Sequence, residues 1–167
     1  MADEATRAIA NLGRAGWRYR PSVPAESGVP GALEHASPAL LTWVDSFSEL
    51  SSFDDAVWFL SRIDYAVEDA DGFAWNACET LSLNAANTAA AVAEVTAYWR
   101  EHTPILLSVC GDYAYLAERA DGAIVHGAEP EFEVSTVVAP DLTTLLNVLA
   151  QLDTHSAGLL EQLVYVS

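Results

Sequence analysis

Apolar positions along the chain switch between helical and strand spacing, and the switches predict its elements. "DEATRAIANLGRAG" (residues 3–16) reads as a short amphipathic helix that ends at a glycine. "GWRYRPSVPAESGVPG" (16–31) carries three prolines and three glycines and is expected to be an irregular connection. "SPALLTWVDSFSEL" (37–50) restarts a helix. Ser37 suits the N-cap and Pro38 the first helical position, while Leu40, Leu41, Val44 and Phe47 form one apolar stripe. "AVWFLS" (56–61) is an apolar run bounded by polar turns, read as a buried strand with a helix as the alternative. "VEDADGFAWNACETLSLN" (67–84) opens as a polar loop and continues as an aromatic-bearing segment of open assignment. "NTAAAVAEVTAYWREH" (87–102) is an alanine-rich helix whose Val92, Val95 and Trp99 share a face, with Pro104 as its stop.

Beyond Pro104 the spacing changes to two. "PILLSVC", "YAYLAE" and "AIVHG" read as three strands joined by "GD" and "RADG", a β-meander. "EFEVSTVVA" (131–139) reads as a fourth. Alternation places Phe132, Val134, Thr136 and Val138 on its core face, and points Glu129, Glu131 and Glu133 the other way. "PDLTTLLNVLAQL" is a helix with Asp141 as N-cap and a stripe of Leu142, Leu145, Leu146 and Leu149. The apolar tail "GLLEQLVYVS" is expected to pack back as a helical turn or strand. Helices, then antiparallel strands, then a helix make an α+β single domain with a mostly antiparallel or mixed sheet and flanking helices, without the βαβ alternation of nucleotide-binding folds. Residues 1–34 form an N-terminal helix with its Pro/Gly-rich connection, and residues 35–167 the α+β domain.

Charge changes this picture most. The 167 residues hold 24 acidic groups against seven arginines, with no lysine. Arg7, Arg14, Arg18 and Arg20 leave the first twenty residues at +2, whereas residues 21–167 carry −19. Such a field repels nucleic acid and anionic membranes and hastens encounter with basic proteins. A hydrophobic share of 51% indicates a globular chain, and no apolar run of about 18 residues predicts a membrane helix. The first residues lack the apolar core of a signal peptide, so a cytoplasmic location is expected. Cys78 and Cys110 are read as two reduced, half-buried thiols.

Candidate chemistry is sparse. Neither "GxSxG", "GxGxxG" nor "GxxxxGK[ST]" occurs, and the missing lysine removes Schiff-base chemistry. His126 with Glu129 and Glu131 has the residue types of a metal site. A zinc centre draws three or four ligands, however, and His35, His102 and His155 lie far off in sequence. Asp54 and Asp55, with Asp64 beyond them, read as turn residues in "SSFDD" rather than as an acid–base pair. Trp58 and Trp99 are expected in the core; Trp75, among polar neighbours, suits a surface groove that anchors a partner. Tyr113 and Tyr115 share one sheet face. No catalytic residue, metal or cofactor is expected.

The order of "SFSELSSFDDAVWFLSRIDY" (46–65), "FAWNACETLSL" (73–83) and "YWREHTPILLSVCGDYAYLAERADGAIVHGAEPEFEVSTVVAPDLTTLL" (98–146) resembles the SUKH superfamily, which contains fungal cell-wall-synthesis regulators and bacterial immunity proteins. The pieces "PILLSV", "GDYAYLA", "DGAIVHG" and "VVAPDLTTLL" carry the likeness through their order and spacing. The resemblance implies a protein-binding module without catalytic machinery. The expectation is an immunity protein that covers the active cleft of a basic toxin, with a nuclease as one such toxin, using Asp112, Asp121, Glu129, Glu131 and Glu133, with Asp54, Asp55 and Trp75 beside them. A regulatory or scaffold domain with another partner is the alternative, and a small metal-assisted hydrolase using His126 is the second.

Overall fold

The structure, a computed structural model, describes residues 2–23, 28–66, 73–153 and 158–165. Seven strands form one sheet in chain order, β1 (Arg18–Pro21), β2 (Phe47–Ser51), β3 (Val57–Phe59), β4 (His102–Ser108), β5 (Ala114–Arg119), β6 (Ile124–Ala128) and β7 (Thr136–Ala139), and every pairing is antiparallel. The α+β class and the antiparallel sheet agree with the reading of the sequence.

Register assigns the two faces. Ser51, Trp58, Leu107, Tyr115 and Gly127 are successive partners across β2 to β6 and therefore share one face. Phe59, Leu106, Leu116, His126 and Thr136 are partners on the opposite face. Helices α4 (Ala77–Ala85) and α5 (Ala89–Arg100) cover the first face, with the Trp99 ring 4.9 Å from that of Tyr115. The second face packs against α2 (Pro38–Val44), whose Trp43 meets Phe59 edge-on at 5.2 Å. Helix α6 (Leu142–Leu149) buries the predicted leucine stripe and packs against both α2 and α1 (Ala2–Arg14).

Chain ends are drawn into the same core. Ala5, Ala8 and Leu12 of α1 and the following Trp17 are buried. Asn11 donates to the carbonyls of Leu149 and Leu152, and the Trp17 indole donates to that of Val164 in α7 (Leu159–Val164). The tail is thus a helical turn, one of its two expected forms. α3 (Arg62–Ala66) is a single turn after β3. Its lead-in resembles a capping box, because the Asp64 carboxylate accepts from both the amide and the hydroxyl of Ser61.

Three expectations are corrected. The stretch expected to be irregular contains β1, whose Arg18, Tyr19 and Arg20 pair with Ser51, Leu50 and Glu49. The helix from Ser37 stops at Val44, and Phe47–Ser51 is β2. Phe47 fits the helical stripe in sequence, but a strand there gains backbone partners on both sides, from β1 and β3. Residues 131–139 are a strand only from Thr136. Pro130 offers no N–H, Val134 donates back to the Glu131 carbonyl, and Phe132 is bonded to Tyr115 of β5 while Glu133 and Ser135 are bonded to α5, instead of along β6. Val134, assigned to the core face, is accordingly 68% exposed. On α5, Val95 and Trp99 are buried as expected while Val92 is exposed.

Candidate functional site

In a meander, alternate connections emerge at the same end of the sheet. Val57 faces Ser108 and the Val109 amide donates to the Ala56 carbonyl, so the β2–β3 and β4–β5 turns lie side by side. Glu129 follows β6 at this same end, where its carboxylate accepts from the Tyr113 amide at 2.9 Å. Asp54, Asp55, Asp112, Glu129 and Glu131, distant in sequence, are thereby collected along one end. Asp112 and Glu131 are exposed, and their carboxylates make no hydrogen bond or ion pair among the described residues.

Each connection has its own local logic. Asp54 accepts from the Ser52 hydroxyl at 2.7 Å and the Ala56 amide at 3.2 Å, the bonds that close the turn, as "SSFDD" predicts. Those bonds, the hydroxyl foremost, hold its pKa below the usual carboxylate value. Asp55 takes a left-handed backbone with φ of 60° and pairs with Arg18 of β1. Between Ser52 and Asp54 the chain presents Phe53, 83% exposed, at the tip of the hairpin.

The expected face of five carboxylates is therefore revised. Asp121 belongs to the β5–β6 turn, at the opposite end of the sheet, where it forms a two-point pair with Arg119 and accepts from the Ala123 amide. The Arg119 bond is the main reason its pKa falls to about 2. Glu133 is turned inward, accepting from the Trp99 indole at 2.7 Å. Glu129 and Glu131 remain at the turn end, outside any strand.

His126 lies on the second sheet face beside Leu116 and Thr136, and burial lowers its pKa. That face is not shared with Glu129 and Glu131, and no group of three His, Cys, Asp or Glu suited to a metal ion occurs among the described residues. Cys78 is buried and Cys110 exposed, both free rather than equally half-buried. Burial pushes the Cys78 thiol up to about 12.

Beside the turn end, the described residues leave a hollow beside β2 and β3. A groove of about 330 Å³ is lined there by Glu49, Asp55, Asp64, Trp58 and Phe73, among others. The Phe73 ring meets Trp58 at 6.1 Å and Tyr113 at 4.9 Å, both edge-on. Trp58 is thus half-buried in the groove wall rather than sealed in the core, whereas Trp99 is buried as expected. Trp75 packs on Tyr65 and lines a separate pocket with Trp99, His35 and His102. Sequence reasoning passed over Phe53 and Glu49. Phe53 had a signal, since an aromatic side chain inside a polar turn has no core to enter, but Glu49 was hidden inside the predicted helix.

No protein-family model matches the chain, and neither a curated protein nor a solved structure matches it. No helix among the described residues is long and apolar enough to cross a membrane.

Proposed function

We propose that this chain is a non-enzymatic, cytoplasmic protein-binding module that uses the acidic turn end of its sheet to cover a basic cleft on a toxin, as an immunity protein does. The observation that carries the reading is the joint placement of Asp54, Asp55, Asp112, Glu129 and Glu131 at one end of the sheet around the bare aromatic ring of Phe53. An exposed aromatic anchor ringed by charge has the make-up of an interface centre with a polar rim. The adjoining groove, with the Trp58 and Phe73 rings and three carboxylates in its lining, is shaped for arginine or lysine side chains. Its Glu49 and Asp55 are already engaged by Arg18 and Arg20, a pattern of cation recognition inside the molecule. The resemblance to the SUKH group supports the same conclusion.

A net charge of −17 makes the approach of a basic protein fast and salt-dependent. The test is co-expression with a neighbouring toxin gene, followed by binding kinetics on the purified pair. The expected result is rescue of growth and an association rate that drops at least about tenfold between low and physiological salt. Rescue should be lost in a combined Phe53→Ala, Asp112→Asn, Glu131→Gln variant that remains folded. Full rescue by that variant would move the interface elsewhere. A partner that is harmless when expressed alone would favour the regulatory or scaffold reading.

A further inference from the structure

The pocket around Trp75 lies at the other end of the molecule from the acidic turns, beside the start of β4, and the proposed docking does not use it. Its volume is about 170 Å³, and its lining includes Trp75, Asn76, Glu79, Trp99, Arg100 and His102. That is slightly more than the roughly 150 Å³ of an engineered cavity that admits benzene. Two tryptophans form walls fixed from behind. Trp75 rests on Tyr65, and the Trp99 indole is held by Glu133.

Several polar groups on this lining lack side-chain partners among the described residues. Glu79 and Arg100 border the same pocket but form no ion pair with each other or with any described residue. Asn76 precedes α4 yet makes no capping bond with its side chain. The His102 Nδ1–H donates to the Tyr98 carbonyl at 2.7 Å, so in the neutral ring Nε2 is an acceptor with no partner among the described residues. Glu79 stands in the first turn of α4 and Arg100 in the last turn of α5, each at the helix end its charge favours. The short α4–α5 connection brings those two ends together.

A negative and a positive group that share a small cavity without neutralising each other make a dipolar site. We propose that this pocket binds an amino-acid-sized zwitterion, with its ammonium on Glu79 and His102, its carboxylate on Arg100 and Asn76, and its body between Trp75 and Trp99. The overall charge disfavours a simple anion, and Arg100 disfavours a simple cation; a ligand with both charges avoids each penalty. Glu79 is half-buried, and burial followed by the Glu133 carboxylate raises its pKa, so an ammonium beside it replaces lost solvation.

The experiment is titration of the full chain with each of the twenty common amino acids at physiological salt, read by tryptophan fluorescence and calorimetry. Each binder is then compared with its methyl ester, which lacks the carboxylate, and its N-acetyl derivative, which lacks the ammonium. At least one amino acid should bind saturably, and both capped forms should bind about tenfold or more weakly. In Glu79→Gln the free amino acid should lose its advantage over the N-acetyl form, and in Arg100→Gln its advantage over the ester. Circular dichroism would check that both variants fold. Absence of saturable binding by any amino acid would overturn the proposal. So would capped forms that bind as well as the parent, or preferences that survive both substitutions.

Discussion

Tyr115 is the residue on which the first sheet face turns. Its ring is buried between Trp99 and Gly127, and its hydroxyl donates to the Phe132 carbonyl while lying 2.7 Å from that of Tyr98. A Cβ on Gly127 would stand 2.5 Å from that hydroxyl oxygen and 2.6 Å from the ring. The ring cannot swing away without breaking both bonds, so Gly127→Ala is expected to destabilise the fold by about 1–3 kcal/mol in urea unfolding. Titratable residues set the acid response. His102 and His126 both have pKa values lowered chiefly by burial, so folding favours their neutral forms. Their contribution is complete above about pH 6.5 and is lost as pH falls through the lower folded values. Asp54, Asp121 and Asp141 have lowered values too, and their contribution disappears only below about pH 4, for Asp121 towards about 2. Glu79 acts in the opposite sense, since its raised pKa adds stability on acidification. Denaturant midpoints should therefore decline in two stages, from pH 7 to 5 and again below 4, and His126→Gln should reduce the first stage only. Local residues such as Ser37 and Asp141 were legible as caps because each partner amide lies three positions on. Glu118 and Glu133 were not, because their partners are 81 and 34 residues away.

Among the elements, the connection from β6 to β7 departs furthest from its sequence pattern. "EFEVSTVVA" alternates as a strand should, yet Glu133, Phe132 and Ser135 each bond to groups on α5 or β5 instead. Alternation reports which residues are apolar; it does not report whether the neighbouring backbone is free to pair. Phe132 is buried in either arrangement, so its position was read correctly for a reason that differs from the actual one. Glu133→Gln weakens the acceptor of the Trp99 indole, and amides of residues 133–135 should then exchange faster while those of β4 and β5 hold their rates. The start of α2 depends on β5 in the same manner. The buried Glu118 carboxylate takes both the amide and the hydroxyl of Ser37, while that hydroxyl caps the Leu40 amide. Glu118→Ala strands these donors and should lower unfolding free energy by about 1–3 kcal/mol.

At the scale of the whole molecule, charge opposes the fold that carries it. Among the described residues five arginines are engaged in ion pairs with aspartate or glutamate, and seven arginines in all face 24 acidic groups. Exposed pairs are individually weak, whereas repulsion among the remaining charges is cumulative. The thermal midpoint should consequently rise between 10 and 200 mM NaCl, about one Debye regime to the next. A midpoint that falls over this range would mean that the ion pairs outweigh the repulsion. The composition announced this imbalance, and the end of the sheet at which it concentrates followed only from strand order.

That strand order also governs how the protein is made. Pairing each strand with its sequence neighbour lets the sheet grow as the chain emerges, and the excursion through α3 to α5 is the main interruption. The helical layer on the second face obeys the reverse rule. Ala5, Ala8, Leu12 and Trp17 are buried early in the chain, but Leu149, Leu152 and Val164, to which Asn11 and Trp17 bond, lie 138 to 147 residues further along it. A nascent chain halted before Leu142 holds an early helix whose apolar side has nothing to rest on. The sheet is therefore assembled in stages, while the core beneath it closes only once residues 142–164 have followed.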